Sequence, residues 1–273
     1  MDEVKRLAIL GVGNIGTSIA TGLVQSNLFR PHQITLTRRR SHLLEMLKEK
    51  GFVVDQNNLV AVRSSEAIIV AVEPQQINGL LEEIGPELVP GRHLIISVVS
   101  GVSTSQIIRQ IGKEIAVVRA MPNTAIAIRE SMTCLAADKK HDQAIRIAKA
   151  IFDTMGRTLV IAEEQMIAAT ALGACGIAFF LRAIRAASQG GIEIGFHATD
   201  ALLIAAQTAK GAAALLQTEG KHPEDEIDKV TTPRGCTISG LNQMEHEGFS
   251  SAMIKGIVTS ADKASKLYKS GDS

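Results

Sequence analysis

The sequence has no tryptophan, one tyrosine and seven phenylalanines in 273 residues. Aromatic platforms for stacking bases are therefore scarce, which argues against a single-stranded nucleic acid ligand. Neither sign of charge is in excess: 29 Lys and Arg stand against 28 Asp and Glu, a formal net charge of +1. That balance supplies no bulk attraction to nucleic acid or to an anionic membrane, and neither partner is expected. Cysteine is also scarce. Cys134, Cys175 and Cys236 lie far apart in no metal-like spacing, as expected in a reducing compartment, so a soluble cytoplasmic protein is expected. The seven histidines have no partners at metal-ligand spacing, so no metal site is expected. The first residues lead directly into a strand-like run, so no signal peptide is expected. The uncharged stretch at residues 165–181 falls short of a membrane span.

What is present is alternation. Short β-branched runs at residues 6–10, 33–37, 67–72, 93–98, 115–119, 132–136 and 158–161 predict strands. Helical spacing fills residues 15–25, 41–50, 74–85, 104–111 and 141–155 between them. Alternating strand and helix predicts an α/β Rossmann-type domain over residues 1–161, with a mainly parallel sheet covered by helices. After residue 161 the strand signal ends. Residues 162–273 are rich in Ala, Leu and Ile at helical spacing, with breaks expected at Gly190-Gly191, Gly220 and Pro223. The patterns at 168–184 and 201–216 are apolar on more than one face, and such helices must be buried. A helical region this small cannot bury them all alone, so a large dimer interface is predicted there. The tail at residues 269–273 is expected to fray.

Gly11-Val12-Gly13-Asn14-Ile15-Gly16 is G-x-G-x-x-G between an apolar strand and an apolar helix. In that context the glycines allow a tight turn, close approach of a pyrophosphate and close helix–sheet packing, which predicts dinucleotide binding. An NAD site places an acid at the end of the second strand to accept from the ribose 2′-hydroxyl. Here that end reads Thr37-Arg38-Arg39-Arg40-Ser41. Guanidinium groups at Arg38 and Arg39 suit a 2′-phosphate, so NADPH is the expected cofactor and NADH the alternative. Three further stretches each follow a strand: Ala71-Val72-Glu73-Pro74-Gln75, Val99-Ser100-Gly101-Val102 and Arg119-Ala120-Met121-Pro122-Asn123-Thr124. They are carboxyl-end loops, where an open α/β sheet holds its ligand. Far downstream, Val230-Thr231-Thr232-Pro233-Arg234-Gly235-Cys236-Thr237 precedes an apolar-periodic run and reads as a helix start. The free amides and the dipole of such an end attract anions, although an ordinary capped helix would read the same way.

With these motifs in place, the chain resembles the pyrroline-5-carboxylate reductase family from about residue 6 to residue 268. The resemblance rests on the glycine motif, Ala71-Val72-Glu73-Pro74, Arg119-Ala120-Met121-Pro122-Asn123-Thr124, Thr170-Ala171-Leu172, and residues 231–241 with His222-Pro223 before them. It implies an oxidoreductase that reduces the cyclic imino acid 1-pyrroline-5-carboxylate to L-proline with NAD(P)H, the last step of proline biosynthesis. It also implies a helical C-terminal domain, residues 162–273, that binds substrate and interlocks two subunits, often within a ring of dimers. By position, Gly235, Cys236 and Thr237 would hold the substrate carboxylate through backbone amides, with the catalytic Thr237 hydroxyl close to the ring nitrogen. Glu163 aligns with an acid near the substrate, Asn58 with a cofactor-ribose contact, and Leu10, Gly11, Val12, Gly13, Asn14 and Ile15 with the pyrophosphate turn.

The chain departs from the family pattern at named places. Arg234 stands for the first of two adjacent glycines, Glu73 for a usual lysine and Lys229 for a common asparagine. Gly173-Ala174-Cys175-Gly176-Ile177-Ala178 replaces a Gly/Ser-Gly-Pro-Ala stretch. These departures leave two alternatives open, a reductase of a related cyclic imine and a non-catalytic dinucleotide-binding relative.

Overall fold

The structure is a computed structural model and describes residues 4–220 and 222–267. The tail at residues 269–273 lies outside the described residues. Two compact units are present, Met1–Cys175 with Ser260–Ser273, and Gly176–Thr259.

The first unit is built on one eight-stranded sheet in the order β3-β2-β1-β4-β5-β6-β7-β8. Its strands are β1 (Leu7–Leu10), β2 (Ile34–Thr37), β3 (Val53–Asp55), β4 (Ala67–Val70), β5 (Leu94–Ser97), β6 (Ala116–Met121), β7 (Ser131–Ala137) and β8 (Gly156–Val160). Pairing is parallel from β3 through to β6; β7 runs antiparallel to β6 and parallel to β8. Every residue of β1, β2, β4 and β5 is buried. That is why β1, β4 and most of β5 read as continuous apolar runs, with β2 alternating Ile and Leu with buried Thr35 and Thr37: a parallel sheet covered on both faces has no solvent side to alternate toward.

The helices of this unit are α1 (Asn14–Gln25), α2 (Glu45–Glu49), α3 (Asn58–Arg63), α4 (Ile77–Ile84), α5 (Thr104–Ile111), α6 (Asp142–Phe152) and α7 (Met166–Ala169). One core joins Leu7, Ile9, Ile69 and Ile96 to Ile19, Leu23, Ile151 and Phe152; a second joins Ala8, Leu10, Ile68 and Ile95 to Ile77, Leu81, Ile84 and Ile107. Successive strand residues thus feed opposite layers, as the two-residue period of a strand demands.

Three local results differ from the sequence expectations. The 41–50 pattern forms a short 3-10 turn, Ser41–Leu44, before α2. The edge strand β3 and the short helix α3 carried no usable periodicity. The first unit also continues past residue 161 to Cys175, because Met166 is fully buried with Met121, Cys134 and Ala136.

The second unit carries α8 (Gly176–Glu193), α9 (Ala198–Glu219), α10 (Pro223–Val230) and α11 (Cys236–His246), and α12 (Phe249–Ala264) begins in it. Gly190-Gly191 does not break α8, contrary to expectation. A Cβ on Gly191 would lie 3.1 Å from the Cβ of Ala201, so this glycine serves the close approach of α9. The turn comes later, at Gly195, whose φ is +114°. Gly220 and Pro223 act as the breaks expected. Gly220 ends α9 in the left-handed conformation, and Pro223 opens α10 behind the His222 cap. Among the described residues one helical run, Glu163–Glu193, has the length and composition to cross a membrane. The uncharged stretch within it stops at Leu181, but the helical run continues through Arg182 and Arg185.

Candidate functional site

The strand order reverses between β1 and β4, and the carboxyl ends of β1, β2 and β4 open there into a cleft of about 690 Å³. This is where open α/β sheets hold their ligands. Gly11, Val12 and Gly13 line it after β1, Thr37, Arg38, Arg39 and Arg40 at the end of β2, and Ala71, Val72 and Glu73 after β4. Asn58 lies beside them at the start of α3.

The three glycines of the turn have separate physical reasons. Gly11 sits at φ +84°, and a Cβ there would meet Val72 Cγ1 at 2.3 Å. Gly16 is buried against the sheet, its absent Cβ 3.3 Å from Ile9. Gly13 faces open space, with nothing within 4 Å of where its Cβ would be. That is the position at which a pyrophosphate approaches the backbone. Gly13 also caps α1, whose first turn takes no side-chain cap bond, so its amides stay available to an anion. Leu10 is buried at the strand end, Asn14 is exposed and Ile15 half-buried. The residues present fit a dinucleotide.

At the far wall, Thr37 Oγ1 donates to Asn58 Oδ1 at 2.6 Å, and Asn58 Nδ2 donates to both Glu83 oxygens at 3.0 and 3.2 Å. Gln76, Gly79, Leu80 and Glu83 line this side. None of these four was singled out from the sequence. Their spacing of three, four and seven residues was the available signal, since it places them on one helical face.

Pro74 opens the turn into α4, half-buried. Val99 is buried and Ser100 half-buried after β5; they belong to the same unit but do not line the cleft. Near Ser100, whose hydroxyl is 3.9 Å from Met121 Sδ, a polar cluster forms where β6 ends. Glu163 Oε1 accepts from the Thr104 amide at 2.6 Å and from Arg119 Nη1 at 3.3 Å, and its Oε2 accepts from Thr104 Oγ1 at 2.5 Å. Arg119 is only 6 % exposed, and its Nε has no acceptor. Burial pushes its pKa below the usual arginine value, and Glu163 counters that shift. The next segment, Thr170–Cys175, is a π-helix, and Asn123 Nδ2 donates to Gly173 O at 3.2 Å. Such π turns recur at functional sites, and no sequence pattern announced this one.

In the second unit, Thr232-Pro233-Arg234-Gly235 is a tight turn closed by the Gly235 amide donating to Thr232 O at 2.9 Å. Gly235 caps α11, and a Cβ on it would lie 2.5 Å from Thr232 Oγ1. Its amide is therefore already engaged, unlike the free amide expected of it. Cys236 and Thr237 begin the helix, both exposed, with no side-chain cap bond in that first turn. Arg234 holds φ +61°, the left-handed region that glycine occupies without steric penalty. This conformation explains why a glycine is usual at that position. Cys134 is buried, Cys175 half-buried and Cys236 exposed, all as free thiols.

Comparison with known proteins decides the family. A family model described as "Pyrroline-5-carboxylate reductase dimerisation" matches residues 163–267, and one described as "NADP oxidoreductase coenzyme F420-dependent" matches residues 6–101. Pyrroline-5-carboxylate reductase 2 of Dictyostelium discoideum is 50 % identical over 278 residues, covering 96 % of this chain and 93 % of that protein. The chain belongs to the pyrroline-5-carboxylate reductase family. Pyrroline-5-carboxylate reductase 1 of the same organism is 56 % identical over 96 % of this chain, which spans about half, 50 %, of that relative's length. Among solved structures, the Coxiella burnetii pyrroline-5-carboxylate reductase superposes with a TM-score of 0.88 at 27 % identity, covering 97 % of this chain and 99 % of that one. Pyrroline carboxylate reductase of Plasmodium falciparum, solved with NADP bound, shares the fold with a TM-score of 0.88 at 22 % identity, covering 97 % and 98 %.

Proposed function

We propose that the protein reduces 1-pyrroline-5-carboxylate to L-proline with NADPH, and with NADH as second donor, as the closing step of proline biosynthesis. The observation that carries this reading is the cleft turn whose middle glycine, Gly13, faces open space, in a chain of this family. Leu10, Gly11, Val12, Gly13, Asn14, Ile15 and Gly16 form the pyrophosphate turn, Arg38 and Arg39 take the 2′-phosphate, and Asn58 takes the ribose. Ala71, Val72, Glu73 and Pro74 belong to the dinucleotide site as the loop after β4, and Val99 and Ser100, outside the cleft lining, extend that site along the next strand end.

For the substrate, the amides of Cys236 and Thr237 hold the carboxylate, and Gly235 contributes the space that its turn requires. A protonated imine is already a strong electrophile, so few catalytic groups are needed; positioning and exclusion of water do most of the work. When bound, the reduced nicotinamide supplies the hydride to the C=N carbon. The nitrogen keeps its proton and becomes the secondary amine of proline. The Thr237 hydroxyl orients that nitrogen; Glu163, whose carboxylate Arg119 and Thr104 hold in place, is the acid that the family resemblance assigns to the substrate.

The match to the dimerisation model supports reading the exposed apolar helices of residues 176–259 as a homodimer interface. On the same reading Glu163–Glu193 is a subunit-facing helix and not a membrane span; a ring of dimers and a cytoplasmic location complete the proposal.

The test is loss of nicotinamide absorbance when purified protein meets NADPH and 1-pyrroline-5-carboxylate, with 1-pyrroline-2-carboxylate and a six-membered cyclic imine alongside. Turnover confined to the first substrate is expected. Preference for another ring would support the related-imine reading, which Arg234 and the Gly173-Ala174-Cys175 stretch favour. NADPH binding without any turnover would support a non-catalytic relative.

A further inference from the structure

We propose that Glu83 is the acid that reads the adenosine ribose in this cleft, supplied from α4 in place of the acid that β2 lacks. The inference rests on the dinucleotide reading given above.

In a site for NAD, the acid at the end of the second strand accepts from the ribose 2′-hydroxyl. β2 ends instead at Thr37, followed by three arginines. Thr37 is 1 % exposed, and its hydroxyl is committed to Asn58 Oδ1. Asn58 commits its amide nitrogen to Glu83 in turn. Hydrogen bonds therefore connect the strand end to a carboxylate on α4. The same contacts fix the Asn58 carboxamide, because the flipped rotamer would set its oxygen against the Glu83 carboxylate. Among the described residues Glu83 has no cationic partner, and it lines the cleft together with Arg38, Arg39 and Arg40. One wall thus offers a charged acceptor for ribose hydroxyls, and another offers cations for a 2′-phosphate. A carboxylate accepts strongly from a hydroxyl and repels a phosphate. Glu83 accordingly favours NADH, the arginines favour NADPH, and the cleft admits both.

The experiment is a titration of wild-type and Glu83→Gln protein with NADH and with NADPH, read by nicotinamide fluorescence without any imine present. Glutamine retains the size and an oxygen for Asn58 but loses the charge. NADH should bind roughly tenfold more weakly, as a charge-assisted bond becomes a neutral one. NADPH should bind equally well or more tightly, so the preference shifts toward NADPH by at least about tenfold. Equal weakening of both cofactors would reduce Glu83 to holding Asn58 in shape and overturn the proposal, and an unchanged ratio would overturn it too. Binding and turnover separate the two readings. A shifted ratio in a protein that reduces no imine keeps the Glu83 assignment and removes the proposed activity. An unchanged ratio in an active enzyme does the opposite, and failure of the wild type to bind either cofactor overturns both.

Discussion

Ile68, Ile69 and Val70 of β4 are fully buried, whereas Leu202, Leu203 and Ile204 of α9 are 52 %, 69 % and 47 % exposed. The two triplets are alike in chemistry and opposite in fate. In the first unit, helices on both faces of the sheet remove the central strands from water, while Leu159 and Val160 on the edge strand β8 stay 53 % and 50 % exposed. In the second, Phe180, Leu181, Ile254 and Val258 join the α9 residues in solvent. So many large apolar side chains left in solvent are what an association site would cover. The central sheet is closed within the single chain, whereas the second unit leaves much of its apolar helical surface open.

The largest expected effect comes from breaking that contrast. Replacing Phe180 and Leu203 together by Asp should weaken self-association by at least about 1000-fold, since each buried apolar anchor is worth about 2 kcal/mol and a symmetric dimer loses them from both subunits. Sedimentation over a dilution series should show the parent protein as a dimer and the variant as a monomer, and an unshifted profile would break the comparison. Next in size is Glu163→Ala, which leaves Arg119 buried and uncompensated. Because Glu163 is 27 % exposed, the loss should be about 2–3 kcal/mol, below that of a fully buried pair. Denaturant unfolding of the first unit reads it, and a cost under about 0.5 kcal/mol would deny the pair a structural role.

Thr237→Ala should lower kcat about tenfold, the value of one lost hydrogen bond at the reacting nitrogen, while NADPH affinity holds. Unchanged kcat would remove Thr237 from the chemistry. The smallest effect belongs to Arg234→Gly. It should raise stability by up to about 1 kcal/mol, because relief of the left-handed conformation exceeds the added freedom of the unfolded chain. A lower Tm would show that the arginine side chain contributes more than its backbone costs.

The parts legible in the sequence were those governed by local rules. β1, β4 and β5 announced themselves as apolar runs, and α5 emerged at its predicted bounds because Ser103 and Gln106 form a capping box. The glycine turn, Arg38, Arg39 and the Ala71-Val72-Glu73 loop came together in one cleft with Asn58, which the family resemblance had supplied. What stayed hidden depended on distance along the chain. Glu163 meets Arg119 across 44 positions and Thr104 across 59. β3 exists because Thr35, Leu36 and Thr37 offer it an edge. Gly191 looks like a break until Ala201 is seen beside it. At Gly235 the sequence indicated a helix start, but only the turn to Thr232 shows that its amide is taken.

The central claim is that this chain delivers a hydride to the imine carbon of a ring held by its carboxylate. Reduction of 1-pyrroline-5-carboxylate with NADPH deuterated at the transferring nicotinamide position tests it directly, with the product read by nuclear magnetic resonance. Deuterium at C5 of L-proline, away from the carboxylate, is the predicted result. Deuterium at the α-carbon, or proline without label, would contradict the account.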